Sequence, residues 1–438
     1  MNLMPSPAVV KKGLSAHAAI GLLAGALLYL VCLSGSLLVF YEELQRAEQG
    51  AAPEMARIDP DAVQRGIAAV MASERGKPPT THLYVHLPVP ELPRATITTD
   101  SQAVHLDAQG AIVMPEENAW SDFLYALHYT LHLPGAIGMA IVGILGMLMV
   151  ALAITGLVAH PRIFRDAFRL RTRHKGGVAL ADWHNRLSVW TLPFGLALSI
   201  TGAVIGLGGV TAWFLAERYY GGDVEAAYAP VFGDEPEHNA ARAPVPDAAA
   251  ALRYMGATYP QVAISYVVLH DPGTAGQHVQ LVGGHPRRLI FGEYYAFDAA
   301  GRFKGTAGLA DGAIGKQAAA SNYSLHFGNY GGLPVKIAYA LFGLALTVVS
   351  ATGVYIWLGK RERRGTREPR LRAAWHGVVW GAPVAFGATL VARFALGNGA
   401  PFIAIFWSVL GLCIIGLVLR AGRGAAQKPL SYSPPAEV

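Results

Sequence analysis

Charge is scarce in this chain. Of its 438 residues only 15% are Asp, Glu, Lys or Arg, against 53% hydrophobic, whereas soluble domains carry about 25% charged residues. Cysteine is almost absent: the two present, Cys32 and Cys413, each lie inside a long apolar run, which excludes a disulfide framework. The 50 glycines follow no Gly-X-Y period, so the chain is not collagenous, and it is too apolar for a disordered one. No Gly-x-Gly-x-x-Gly follows a strand-like run and no Walker motif occurs, so no nucleotide site is read.

What the chain has instead is long uncharged stretches. Six can cross a bilayer, which takes about 20 apolar residues: Leu14–Phe40, Leu133–Ala159, Leu187–Leu215, Ile337–Gly359, Ala373–Ala392 and Ala400–Leu419. The first is too long for a signal-peptide core and ends in Glu42-Glu43 without a small-residue cleavage site, so it reads as a retained helix. Basic residues set the orientation. Lys11 and Lys12 precede span one; Arg162, Arg165, Arg169, Arg171, Arg173, Lys175 and Arg186 follow span two; Lys360, Arg361, Arg363, Arg364, Arg367, Arg370 and Arg372 follow span four. All share one side if the spans alternate, which puts both termini in the cytoplasm. Of the 29 acids, 24 fall in 42–122 and 217–325, on the other side. The net charge of +6 is thus a topology signal and no indication of nucleic acid.

The two outside segments carry structure of their own. Residues 60–75 read as an amphipathic helix, followed by strand-like runs at Thr81–Leu87, Arg94–Thr99 and Ala103–Asp107 and a turn at Asp107–Gly110. The second segment repeats this order: a helix at Asp247–Thr258, strands at Val262–His270, His278–Val282 and Leu289–Phe297, and a turn at Asp298–Gly301. The expected fold is therefore an all-α transmembrane bundle of about six spans with two small α+β modules outside. Its parts are helix 14–41, module 42–125, helix 126–160, basic loop 161–183, helix 184–216, module 217–325, helix 326–359, basic loop 360–372, two helices over 373–420 and a tail 421–438.

The two halves are duplicates. His17 precedes Ser34-Gly35 by 17 residues, as His184 precedes Thr201-Gly202. His128 precedes Thr155-Gly156 by 27 and His326 precedes Thr352-Gly353 by 26. A weaker echo links Trp183-His184, Trp190 and Pro193 with Trp375-His376, Trp380 and Pro383.

Histidines fall at both membrane faces: His17, His184, His376 and His160 at cytoplasmic helix ends, and His128, His132 and His326 on the outer side. Ionisable groups at membrane depth are functional candidates. Two b-type haems, each held by histidines of two helices, fit this pattern. His17 with His184 and His128 with His326 are the expected axial pairs, with His132 able to replace His128 and His376 and His160 as further alternates. Gly21 and Gly25 follow His17 on one helix face and leave room for a porphyrin; Gly138, Gly143, Gly146 and Gly343 offer similar room. Arg186 and Lys336 are candidates for the propionates. For any single histidine the plain alternative is an interfacial polar residue, and the glycines are equally suited to helix packing. His82 with His86, and His270, His278 and His285, read as surface histidines for want of convergent ligands.

The segments His17-x-x-x-Gly21, Leu33-Ser34-Gly35, Leu127-His128-Tyr129-Thr130-Leu131, Trp183-His184-Asn185-Arg186 and Leu325-His326-Phe327-Gly328-Asn329-Tyr330-Gly331-Gly332 together resemble the PepSY-associated transmembrane family over residues 10 to about 360. These are iron-regulated bacterial inner-membrane proteins, the best understood being di-haem ferric-siderophore reductases. The resemblance implies PepSY-like outside modules, haem b in the helix core, and electron flow outward to a periplasmic ferric siderophore; the cytoplasmic or membrane donor stays open among a quinol, a flavoprotein and a reduced nicotinamide enzyme. Reduction frees the metal because a siderophore holds Fe(III) far more tightly than Fe(II). Two other classes compete with this reading. A membrane-anchored module binding a periplasmic protein or peptide leaves the duplicated histidines unexplained. A transporter with parallel repeats needs polar groups at mid-membrane, where Asn, Asp, Glu and Lys are absent.

Overall fold

The computed structural model describes residues 5–168, 178–233, 236, 238–284, 289 and 292–426; Arg169, Arg171, Arg173, Lys175 and His285 lie outside them. The first half runs α1 (Pro7–Leu38), α2 (Tyr41–Glu48), α3 (Pro60–Ser73), β1 (His82–His86), β2 (Ala95–Thr98), β3 (Ala103–Leu106), β4 (Ile112–Pro115), α4 (Ala119–Thr130) and α5 (Gly135–Ala159). After a short α6 (Ile163–Asp166), the second half runs α7 (Val178–Trp190), α8 (Leu192–Tyr219), α9 (Val224–Phe232), α10 (Ala248–Thr258), β5 (Ala263–His270), β6 (His278–Gly284), β7 (Glu293–Phe297), β8 (Phe303–Thr306), α11 (Ile314–Phe327) and α12 (Gly332–Arg363). α13 (Pro369–Leu396) and α14 (Phe402–Ala426) follow. Apart from α6 and the α7–α8 break, the two halves have the same element order, which is the duplication expected from the motifs.

The chain divides into two compact units, a helical one of residues up to 38, 122–203 and from 338 on, and a second of 39–121 and 204–337. Among the described residues six helices are long and apolar enough to span a membrane: α1, α5, α8, α12, α13 and α14. This is a multi-pass membrane protein. Leu23 is 78% exposed and Leu412 69%, an exterior that suits acyl chains and not water. Within a bilayer every backbone polar group must find its partner inside the protein, and α13 shows the consequence. Pro383 has no N–H for the carbonyl of Val379 one turn earlier. The buried Tyr29 of α1 supplies the donor instead, its Oη–H bonding Val379 O at 2.7 Å. Trp375 Nε1 donates to Ala351 O of α12 at 3.1 Å, so α13 is tied to both α1 and α12. It pairs closely with α14 through small residues: a Cβ on Gly377 would fall 2.5 Å from Ile414 Cα, and one on Gly381 2.8 Å from Cys413 Cβ. The third span begins at Leu192, not Leu187, because the chain breaks helix at Thr191, beside Pro193, and leaves α7 as a separate helix.

In the second unit the two expected modules are one structure. Their eight strands form a single antiparallel sheet in the order β4-β3-β2-β1-β5-β6-β7-β8. β1 pairs with β5 from His82↔His270 to His86↔Tyr266, so the order is a palindrome about the junction of the halves. The physical reason is twofold. Separate four-stranded modules would leave the β1 and β5 edges open to stray pairing, and each alone is near the lower size limit for a core. Joined, they share one core: Val63, Ile67 and Val70 of α3 and Ala248, Ala251 and Met255 of α10 cover Leu83, Val85, Ile97, Val267, Leu269 and Leu281 of the sheet. Gln64 of α3 accepts from Ala248 N at 2.9 Å and donates to Pro246 O at 3.0 Å, capping α10 with its twin. The outermost strands β4 and β8 were not expected. They are short and largely exposed, so no apolar alternation marks them. Of the strand expected over Leu289–Phe297, β7 takes Glu293–Phe297, and residues 290–291 lie outside the described ones.

The turns match as well. Asp107 Oδ1 accepts from Gln109 N and Ala111 N, and Asp298 Oδ1 from Ala300 N and Arg302 N. Gly110 (φ 83°) and Gly301 (φ 71°) close them, with α3 and α10 resting on their glycines: a Cβ would meet Ala62 O at 1.9 Å or Ala250 Cβ at 2.6 Å.

The Tyr29–Val379 bond makes a direct prediction. Tyr29→Phe strands the Val379 carbonyl in an apolar setting and should lower stability by about 1–3 kcal/mol, read as a lower melting temperature of the detergent-purified protein. An unchanged midpoint would contradict the bond.

Candidate functional site

His17 of α1 and His184 of α7 meet in the helical unit, their ring centroids 6.3 Å apart and their planes at 83°. Each ring is fixed from behind. His17 Nδ1 lies 3.0 Å from the Leu152 carbonyl and 3.3 Å from Thr155 Oγ1. His184 Nδ1 lies 3.0 Å from Thr352 Oγ1 and also bonds the Val349 carbonyl. Both threonine hydroxyls donate their own protons to carbonyls of their helix, Thr155 to Ala151 O and Leu152 O and Thr352 to Val348 O and Val349 O. The threonine oxygen therefore accepts and Nδ1–H donates. That tautomer leaves the Nε2 lone pair of each histidine available to a metal, the arrangement typical of ligating histidines.

The glycine after each threonine makes room for the ring. A Cβ on Gly156 would stand 3.3 Å from His17 Cε1, and one on Gly353 3.4 Å from His184 Cε1. The same device recurs at His128 of α4. Its Nδ1–H donates to Val31 O at 2.9 Å, with Ser34 Oγ at 3.3 Å, and a Cβ on Gly35 would lie 2.7 Å from Cε1. Ser34 donates to Leu30 O and Val31 O, as Thr201 does to Ala197 O and Leu198 O. The Ser/Thr-Gly pairs mark the duplication in sequence, and three of them are grips for a histidine. That role was missed. The signal was present in their constant pairing with histidines, but it needs the neighbouring helix to be read.

The other candidates sort by contact. His326 stands on α11, the repeat partner of α4, edge-on to Phe327 at 5.8 Å. His132 has both ring nitrogens engaged: Nε2 with Phe123 O at 2.9 Å, while Nδ1 accepts from Trp407 Nε1 at 3.2 Å. It sits at φ 57° in the turn between α4 and α5. His376 Nδ1 lies 2.6 Å from Tyr355 Oη, and His160 closes α5. Gly21 has open space, its nearest foreign atom being Leu152 Cδ2 at 3.8 Å from a built Cβ. Gly25 instead packs against Val354 at 3.2 Å, Gly146 against Ser199 O at 2.8 Å and Gly343 against Ser36 Oγ at 2.5 Å, all helix-to-helix approaches. Gly138 meets Thr130. Arg186, two residues beyond His184 and so on another side of α7, donates Nε to Ala167 O at 2.9 Å and lies over Trp183 and Trp190. Lys336 is buried and bonds Glu42 at 3.1 Å and Glu43 at 2.9 Å, so its charge is already matched.

The residues fit a haem iron held by two imidazoles. The 6.3 Å between the ring centroids of His17 and His184 leaves room for a shared metal ion. Among the described residues no three His, Cys, Asp or Glu side chains converge as a metal-ion cage; a bis-histidine haem asks for two.

Fold and site together define a duplicated multi-pass membrane protein with a pair of histidines in contact between its helices. The chain belongs to the PepSY-associated TM region family, whose model matches residues 14–360. It is also similar to an uncharacterized protein of Pseudomonas aeruginosa, 27% identical over 267 residues. That match covers 57% of this chain and 66% of the relative's length. α13 and α14 lie beyond the family match.

A further histidine group occupies the sheet. His82, His270 and His278 are cross-strand neighbours on β1, β5 and β6, with His270 stacked on His278 at 4.3 Å and edge-on to His82 at 4.9 Å. Burial, reinforced by His278 and His82, pushes His270 down to about 3. Burial also holds His86, and with help from Arg94 His105, down to about 4. These rings are neutral in the folded sheet and gain a proton on unfolding at any pH between those values and the usual 6.5. Sheet stability is therefore full above about 6.5 and falls as the pH drops, by up to about 1.4 kcal/mol per pH unit for each proton taken up. Hydrogen exchange of the sheet amides should quicken between pH 7 and 5, and His270→Gln should flatten that dependence; pH-independent protection would contradict it. At the histidine grips, Gly35→Val should displace His128 and lower the melting temperature by several degrees, whereas Gly21→Ala should be tolerated. Equal effects of the two would refute the grip.

Proposed function

We propose that this protein is a haem b reductase of the bacterial inner membrane that carries electrons from the cytoplasmic side to a periplasmic ferric siderophore, releasing Fe(II). The observation that carries this reading is the His17–His184 pair, two imidazoles at metal-sharing separation with Nδ1 committed and Nε2 free. Haem b bound there would supply one-electron redox chemistry without an open coordination position, which suits transfer and not oxygen activation. The repeat extends the reading to His128 and His326, proposed as axial ligands of a second haem. His132, with both nitrogens engaged, is a structural residue in this account.

The chain's own groups do the tuning. Thr155 and Thr352 oxygens and the Leu152 and Val349 carbonyls accept from the imidazoles, raising ligand basicity and fixing ring orientation. The apolar walls keep water away. Basic connections in the cytoplasm and the acidic sheet unit in the periplasm set the direction, with both termini inside.

Purified protein from haem-replete cells should show low-spin b-type spectra with two haems per chain. His184→Ala should lose or convert one haem and keep the other; a colourless, folded preparation would refute the reading. Mixing pre-reduced protein with ferric siderophores in anaerobic stopped flow should oxidise it and yield Fe(II) trapped by a ferrous chelator. No oxidation above background with any of them would favour a binding module instead.

A further inference from the structure

Beside the His184 grip lies a cleft of about 650 Å³ whose lining includes Leu180 of α7, Tyr355, Gly359, Glu362 and Arg363 of α12, and Arg372, His376 and Trp380 of α13. Its size is that of a small-molecule site. Two facing stripes build it. Tyr355, Gly359 and Arg363 follow one another at four-residue steps along α12, as Arg372, His376 and Trp380 do along α13, so each set shares a helix face. The stripes grade from charged to apolar. Arg372, ion-paired to Glu362 at 3.0 Å, stands at the basic end of α13, and Trp380, 67% exposed in an apolar span, lies two turns further in, about 12 Å along the axis. His376 and Tyr355 meet between them, Nδ1 to Oη at 2.6 Å.

The cleft is also adjacent to the redox pair in sequence and helix geometry. Leu180 is one turn before His184 on α7, and Tyr355 is three residues after Thr352, which holds His184 Nδ1. Three of the eight lining residues, Arg372, His376 and Trp380, come from α13, beyond the residues the family model covers.

We propose that this cleft binds the ring of a lipid-soluble hydroquinone, the electron donor of the reductase; the inference rests on the haem reading above. The donor's ring hydroxyl meets the Tyr355–His376 pair and its apolar tail leaves past Trp380 into the bilayer. A soluble flavin or nicotinamide would find no use for that lipid-facing exit. In the tautomer that donates Nδ1–H to Tyr355 Oη, His376 offers Nε2 as the base. Oxidation of the hydroquinone to the quinone gives up two protons and two electrons. The protons pass in turn to His376 and from it to water at the charged end of the cleft. With haem bound at the histidine sites, two ferric irons would take the electrons, one each. Tyr355 orients the imidazole and is a positioning residue.

The test uses full-length protein in detergent with an azido-benzoquinone as probe. Photolabelling should modify the stretches 355–363 and 369–380, excess plain benzoquinone should suppress it, and Gly359→Leu, which fills the cleft, should abolish it. Because labelling does not need haem, it should persist in His184→Ala protein, which separates failure of the cleft from failure of the haem reading. In haem-loaded protein His376→Ala should slow reduction by a short-chain hydroquinone by at least about tenfold, with the visible spectrum and the reduction by dithionite unchanged. Label found elsewhere, label not suppressed by plain quinone, or wild-type reduction rates in His376→Ala would overturn the proposal. So would reduction by a flavin reductase where hydroquinone gives none.

Discussion

A histidine ring packed between apolar helices has two nitrogens to satisfy and little water to do it. At three positions in this protein one nitrogen is given to the next helix, through a carbonyl left exposed beside a serine or threonine and a glycine that lets the ring come close. His17, His128 and His184 are all held this way. The grip settles the tautomer and orients the ring, and it ties α1 to α5, α4 to α1 and α7 to α12. Helix packing and ring orientation are thus set by the same few contacts. The burial of Tyr29 against Val379 follows the same logic, a side chain supplying what a proline withholds.

The sheet unit solves a different problem with the same duplication. Each half brings one core-covering helix and four strands, too little for a secure core. Pairing β1 with β5 merges two marginal cores into one and leaves only the short outer strands β4 and β8 as edges. The buried histidines on it stay neutral because the sheet leaves them no water to charge into.

Much of this was legible in sequence. The six spans follow from uncharged runs and the duplicated order from four spaced pairs, and α3, α10 and the two Asp-x-x-Gly turns fall where the patterns put them. Joining of the modules was not legible, because an open strand edge has no sequence mark and pairing at His82↔His270 is a tertiary event. β4 and β8 carry no alternation to read. Gly25, Gly146 and Gly343 looked like room for a flat ring, and they turned out to admit neighbouring helices; glycine spacing is the same in both cases. Lys336 looked like a propionate partner only while Glu42 and Glu43 were far away in sequence. The Ser/Thr-Gly pairs were seen as repeat markers, and only the partner helix reveals what they hold.

The central proposal is that His17 and His184 would hold one haem iron between them. Their perpendicular planes, at 83°, give it a specific signature, since crossed imidazoles spread the g values of low-spin ferric iron and near-parallel ones give an ordinary rhombic signal. Low-temperature electron paramagnetic resonance of the oxidised protein should therefore show a strongly anisotropic low-spin species. His17→Ala, His184→Ala and the double variant should each lose that same species and no other. Two different species lost in the two single variants, or its survival in either, would contradict a shared metal.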